Sequence, residues 1–278
     1  MKISIGSIFL AFIFIMVLLS GCATAFTPVS PATETSVPTL TPWSLVVVGD
    51  SIAYNSSMHC PGCIGFVDRY AAAITEATGH PVNVQNFSKL EFGIDGLLED
   101  LETNTSRREA LANADIIIVG IAHNDTAWNR DDDPCDGPSG DNPDWSMYNA
   151  SCATEAAEIF RQKFENVFTQ IVALRDGKPT IFRTINAYNF WNSQPGLDIP
   201  PEAMNAARDV LDAWNAMICK AAQENGFTCA NIYHAFNGSD GLTPSPDLIA
   251  KGNIHPSDKG NEVIARVLTV LGYAPLSP

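Results

Sequence analysis

Positive charge is scarce in this chain. Its 278 residues include 16 Lys and Arg against 31 Asp and Glu, a formal net charge of −15. Neutralising phosphate groups takes Lys and Arg, so nucleic acid is excluded as a partner. An electrostatic grip on anionic lipid is excluded on the same ground. Histidine is rare as well, with five residues, and His59, His80, His123 and His234 form no metal-ligand spacing. A zinc site built on Cys-x-x-C needs two such pairs, and Cys60-Pro61-Gly62-Cys63 stands alone. No internal repeat occurs. Nothing in the sequence implies a metal or an organic cofactor.

What the chain does have begins at its N-terminus. Lys2 is followed by an apolar run from Ile3 to Leu19, which stops at Leu19-Ser20-Gly21-Cys22. A basic start, an apolar stretch and small residues after it make a secretory signal. The run is near the lower limit for crossing a bilayer, so a retained transmembrane anchor is the alternative. Leu-Ser-Gly-Cys resembles the bacterial lipoprotein cleavage box, whose Cys becomes the lipidated first residue of the mature chain. That resemblance implies removal of residues 1–21 and lipidation of Cys22. The expected location is then the outer side of a cell membrane, held by acyl chains at about 0.8 kcal/mol per buried methylene. Residues 22–42 are rich in Thr, Pro and Ser and nearly uncharged, which reads as an extended tether. Residues 43–278 are left for one domain with ample apolar content for a core.

Six cysteines remain after Cys22. An even number in an exported domain suggests disulfides, and pairing neighbours in sequence gives the simplest set: Cys60–Cys63, Cys135–Cys152 and Cys219–Cys229. Closing the middle loop is worth about 3 kcal/mol in the chain-entropy model. The rival reading of Cys60 and Cys63 as a redox pair lacks the βαβ start that such a motif follows.

Strand-like and helical patterns alternate along the domain. Leu45-Val46-Val47-Val48, ending at Gly49, reads as a central parallel strand. Further strands are expected at Val82–Phe87, Asp115–Gly120, Pro179–Ile185 and Phe227–Tyr233. Helices are expected at Gly65–Thr78, Ile94–Leu101 and Arg107–Ala112. Two longer apolar stripes run from Ala156 to Val172 and from Ala203 to Ala221, and a last helix runs from the Ser257 cap to Gly272. Strands separated by helices imply right-handed crossovers and a parallel sheet covered on both faces. In such sheets the site lies beyond the carboxyl ends of the strands.

Three of those ends and loops carry chemistry. The first strand ends in Gly49-Asp50-Ser51, the third in Gly120-Ile121-Ala122-His123-Asn124-Asp125, and His255-Pro256-Ser257 precedes the last helix. A serine hydroxyl is a poor nucleophile until an adjacent base such as imidazole takes its proton. A tight turn after Gly49 exposes the Ser51 oxygen and leaves backbone N–H groups for a developing oxyanion. Asn124 can add a side-chain N–H, worth roughly 3 kcal/mol of barrier in comparable cases.

With these blocks in this order, residues 43–273 resemble the SGNH (GDSL) hydrolase family. The resemblance implies a three-layer, flavodoxin-like α/β sandwich with a central five-stranded parallel sheet. It implies Ser51 as nucleophile, His255 as base and Asn124 as an oxyanion donor. The expected substrate is a small-molecule, lipid or saccharide ester, cleaved through an acyl-enzyme without a cofactor. Two departures stand out. The second block, Asn86-Phe87-Ser88-Lys89-Leu90-Glu91-Phe92-Gly93, puts Glu91 at the family's glycine in an ungapped match, and Gly93 can take the part only with a local rearrangement. The family's triad Asp, three residues before the His, is Gly252 here. A backbone carbonyl holding the ring, or Asp247 or Asp240 reaching in, are the substitutes to look for; a surface binding protein that has lost catalysis is the alternative function.

The loop from Thr126 to Cys152 is acidic, with Asp131, Asp132, Asp133, Asp136, Asp141 and Asp144. Its order fails the EF-hand pattern, since Cys135 takes a ligand position and Asp136 the required glycine. With Trp128, Trp145 and Tyr148 it reads as a solvated, disulfide-tied loop forming one wall of a substrate cleft.

Overall fold

A computed structural model describes residues 40–130, 133–135, 143–193 and 201–276. The expected signal, Cys22, the tether as far as Thr39, and Asp131, Asp132, Asp136 and Asp141 lie outside the described residues. Among the described residues no helix is long and apolar enough to cross a membrane.

Five strands form one parallel sheet: β1 (Trp43–Gly49), β2 (Val82–Asn86), β3 (Ile116–Gly120), β4 (Ile181–Ile185) and β5 (Thr228–Ala230), in the order β2-β1-β3-β4-β5. The burial of each strand follows its place. The central β1 and β3 are apolar runs of Val and Ile buried on both faces, whereas the edge strand β2 mixes Asn and Gln into its sequence and is partly exposed.

The order also sets the layers. β1 steps one way to β2, and every later crossover steps the opposite way, so right-handed connections put the helix before β2 on one face and the later crossover helices on the other. The C-terminal helix after the last strand joins the first face. Accordingly α2 (Phe66–Thr78) packs on the C-terminal α8 (Asp258–Thr269), while α5 (Ala150–Arg175) packs on α6 (Pro201–Glu224) and on α3 (Ile94–Thr103) and α4 (Thr105–Asn113). Phe160 and Phe164 of α5 meet the buried Trp214 of α6 edge-on at 5.3 and 5.6 Å, a geometry that aromatic quadrupoles favour. The expected three-layer α/β sandwich is the fold observed.

One expected element is corrected. The strand expected over Phe227–Tyr233 ends at Ala230, and Ile232–Asn237 forms a short helix, α7. Asn231 caps it, its side chain accepting the His234 N–H at 3.1 Å. An apolar Ile-Tyr pair carries no period, so only the cap marked the change.

The three disulfides join neighbours in sequence, Cys60–Cys63, Cys135–Cys152 and Cys219–Cys229.

Candidate active site

The direction reversal in strand order falls between β1 and β3, and their ladder aligns Gly49 with Gly120, so both strands end level at one rim. Asp50 fastens this junction. Its carboxylate is fully buried; Oδ1 accepts the Ile52 N–H at 2.9 Å, and Oδ2 accepts those of Ala122 and His123 at 3.1 and 3.2 Å. Burial lifts its pKa to about 6 against the pull of those N–H groups. Replacing Asp50 with Ala leaves three N–H groups unpaired, and urea unfolding should show a loss of about 3 kcal/mol. Asp50→Asn, which keeps one acceptor oxygen, should lose less.

Ser51 opens the four-residue helix α1 (Ser51–Tyr54) directly after this junction. Across from it stands His255, brought in by the turn before α8, with Nε2 2.9 Å from Ser51 Oγ. Residues 204 apart in sequence thus meet at hydrogen-bond distance. The turn is set by its own backbone: the Ala250 N–H donates to the His255 carbonyl at 2.8 Å, and the His255 N–H donates to Asn253 Oδ1 at 2.8 Å.

The second and third blocks arrive beside each other. Gly93 caps α3, and its missing side chain lets Asp125 come close; a Cβ there would lie 2.6 Å from Asp125 Oδ1. Asp125 Oδ2 accepts the Ile94 N–H at 2.8 Å, and burial pushes the carboxyl up to about 6. Asn124 Nδ2 donates to the Phe92 carbonyl at 3.0 Å, which spends one of its two N–H bonds on holding the second block. The other N–H is left, and neither the Ser51 N–H nor the Gly93 N–H has an acceptor among the described residues. Glu91, at the family's glycine position, has a φ of 53°, the left-handed region that glycine tolerates best.

The substitutes considered for the missing acid do not reach His255. Asp247 pairs with Lys259 at 3.3 Å on the surface, and Asp240 Oδ1 accepts the Leu242 N–H. No backbone carbonyl takes their place, because His255 Nδ1 is buried without a hydrogen-bond partner. Burial, with His59 and His123 nearby, lowers the His255 pKa to about 4. His123, left without a role by its sequence position, is buried, tilts against Tyr188 at 4.6 Å and is held neutral, its pKa lowered to about 3 by burial. Sequence reading also passed over two supports. Trp214 Nε1 donates to the Ala122 carbonyl at 2.6 Å, and the Tyr188 hydroxyl donates to the Ile254 carbonyl at 2.8 Å. Trp214 sits in an apolar stripe that advertises packing alone, and Tyr188 lies in an Asn-rich segment after β4 that matches no motif.

In the acidic loop, Asp133 is buried and accepts the Cys135 N–H at 2.7 Å and the Tyr148 hydroxyl at 3.1 Å. Trp128, Trp145 and Tyr148 form an aromatic cluster with Phe190 and Trp191 from the segment after β4.

Comparison with known proteins agrees with this fold. The solved structures that share the fold include a lipase from a goat rumen metagenome, 18% identical with a TM-score of 0.64, covering 84% of this chain and 99% of that one. An extracellular lipase from Streptomyces rimosus is 16% identical with a TM-score of 0.57, covering 83% and 100%. A catalytic mutant of an acetylxylan esterase from Geobacillus stearothermophilus is 16% identical with a TM-score of 0.52, covering 84% and 95%. No curated protein matches the chain. The model of the GDSL-like lipase/acylhydrolase family matches residues 47–263, and the chain belongs to that family.

Proposed function

We propose that the protein hydrolyses carboxylic esters through an acyl-enzyme. The observation that carries this reading is the 2.9 Å approach of His255 Nε2 to Ser51 Oγ. Ser51 attacks the ester carbonyl while His255 takes its proton; the same imidazolium then protonates the departing alkoxide. Water, deprotonated by His255, releases the acid and frees the serine. The Ser51 and Gly93 N–H groups and the remaining Asn124 N–H supply donors for the tetrahedral oxyanion. No carboxylate among the described residues reaches His255, so the imidazolium lacks the partner that would stabilise it. That favours slow turnover, and it is the observation behind a second reading as a binding protein on the same scaffold.

The hollow lined by Ser51, Asn55, Ser56, His59, His255 and Pro256 is closed, with no space for a water molecule. The substrate we propose is a lipid acyl or carbohydrate acetyl ester. We place the domain outside the cell, tethered through an acylated Cys22; radiolabelled palmitate should enter the wild-type chain and not Cys22→Ser.

A series of p-nitrophenyl esters tests the activity. The acetate should be cleaved, and acid-quenched protein should carry an acetyl group on Ser51. Equal background with wild type and Ser51→Ala would favour the binding reading.

The pH profile is a further test. A base must be neutral to act, and the His255 pKa is lowered from its ordinary 6.5 to about 4. The acid limb of kcat/KM should therefore have its midpoint near pH 4. A midpoint at the ordinary histidine value would mean that the ring is neither dry nor crowded by its neighbours.

A further inference from the structure

His255 is held at both ends of its main chain, but no hydrogen bond fixes its ring from the Nδ1 side. What lies on the ring is another imidazole. His59 stacks on His255 with centroids 3.6 Å apart and planes 12° from parallel. His59 belongs to the turn between α1 and α2, which is closed by the Cys60–Cys63 disulfide and tied back by Asn55 Nδ2 donating to the Cys63 carbonyl at 3.3 Å. One side chain joins the two histidine segments: Asn253 Oδ1 accepts the His255 N–H, and Asn253 Nδ2 donates to the His59 carbonyl, both at 2.8 Å.

We infer that His59 is a positioning residue whose stacked ring, clamped by Asn253 and stapled by Cys60–Cys63, keeps the His255 imidazole facing Ser51 in place of the absent carboxylate. This rests on the catalytic reading above. A stack fixes the plane of a ring, as a triad carboxylate does, but it offers no negative charge to the imidazolium. The titratable groups near His255 are His59 on its face and His123 from the β3 end, and both disfavour its charged form. His59 therefore contributes orientation at an electrostatic cost, a division of labour that a structural residue would not show.

Three variants of the full chain test this: His59→Ala, His59→Phe and Asn253→Ala. Readouts are kcat and KM for p-nitrophenyl acetate, the rate of fluorophosphonate labelling, and the titration of the His255 ring by NMR. Loss of orientation should lower kcat in His59→Ala by about 10- to 100-fold with KM nearly unchanged. His59→Phe keeps the stack without a titratable group, so it should recover most of that loss while the His255 titration moves upward. Asn253→Ala should repeat the kcat loss, and it serves if His59→Ala does not fold. Wild-type kcat in a folded His59→Ala, or a His59→Phe as slow as His59→Ala, would overturn the inference. A wild-type chain that neither turns over ester nor labels would remove the catalytic reading and this inference with it. The NMR titration separates that outcome, because a His255 midpoint that still responds to His59→Phe leaves the stack standing.

Discussion

Ser51→Ala should lower kcat for p-nitrophenyl acetate by about 10⁴-fold or more, the scale seen when a nucleophile is removed from a serine hydrolase. His255→Ala should cost a similar amount, and the double variant should cost little more than either. Residues acting as one unit behave this way, because once either is gone the other has no step left to catalyse. The fold should be indifferent to the loss of the serine. The Ser51 side chain makes one hydrogen bond, to His255 Nε2, and the carboxylate that closes the β1–β3 junction belongs to Asp50. Thermal unfolding of Ser51→Ala should therefore stay close to wild type. A single variant that keeps most of its activity would mean that ester cleavage occurs elsewhere.

Gly252→Asp should raise kcat, by about tenfold or more. Removing the Asp from an intact triad costs about 10⁴-fold, and part of that should be recoverable by installing one. Two features favour the experiment and one opposes it. A Cβ at 252 meets nothing within 4 Å, so there is room. Against it, the φ of +77° strains any side chain, although Asp and Asn tolerate it better than most. His255 Nδ1 is buried and unpartnered, an orphan that a carboxylate would satisfy. The charge should also move the acid limb of kcat/KM upward from about 4, since an anion beside an imidazole favours its protonated form. Gly252→Asn, isosteric but uncharged, should leave the limb where it is. If Gly252→Asp changes neither rate nor limb, the missing acid is not what limits this site.

How far this site was legible follows from the kind of signal each residue leaves. β1 and β3 were readable because buried parallel strands are unbroken apolar runs, and the motifs at their ends had to share a rim. That put Ser51 and Asn124 at one rim, while His255 was marked only by its place before the last helix. The strand order itself was not readable, since periodicity says nothing of which strands are neighbours. Gly252 announced the missing acid, but the compensation was invisible. A stacked His59 depends on a short turn folding back over a residue 196 positions later in the chain, which no local pattern encodes. Asp50 and Asp125 stand in the motifs with no local sign of their role, and the structure shows each tying two blocks together through backbone N–H groups. Tyr233 was misread because a two-residue apolar step fits a strand and a helix equally well.

The central claim is that one imidazole activates one hydroxyl, and fluorophosphonate labelling of the full chain with peptide mapping reads it most directly. A single adduct on Ser51, lost in His255→Ala, is the result this geometry requires. An unlabelled Ser51, or labelling that persists at the same rate without the imidazole, would contradict it.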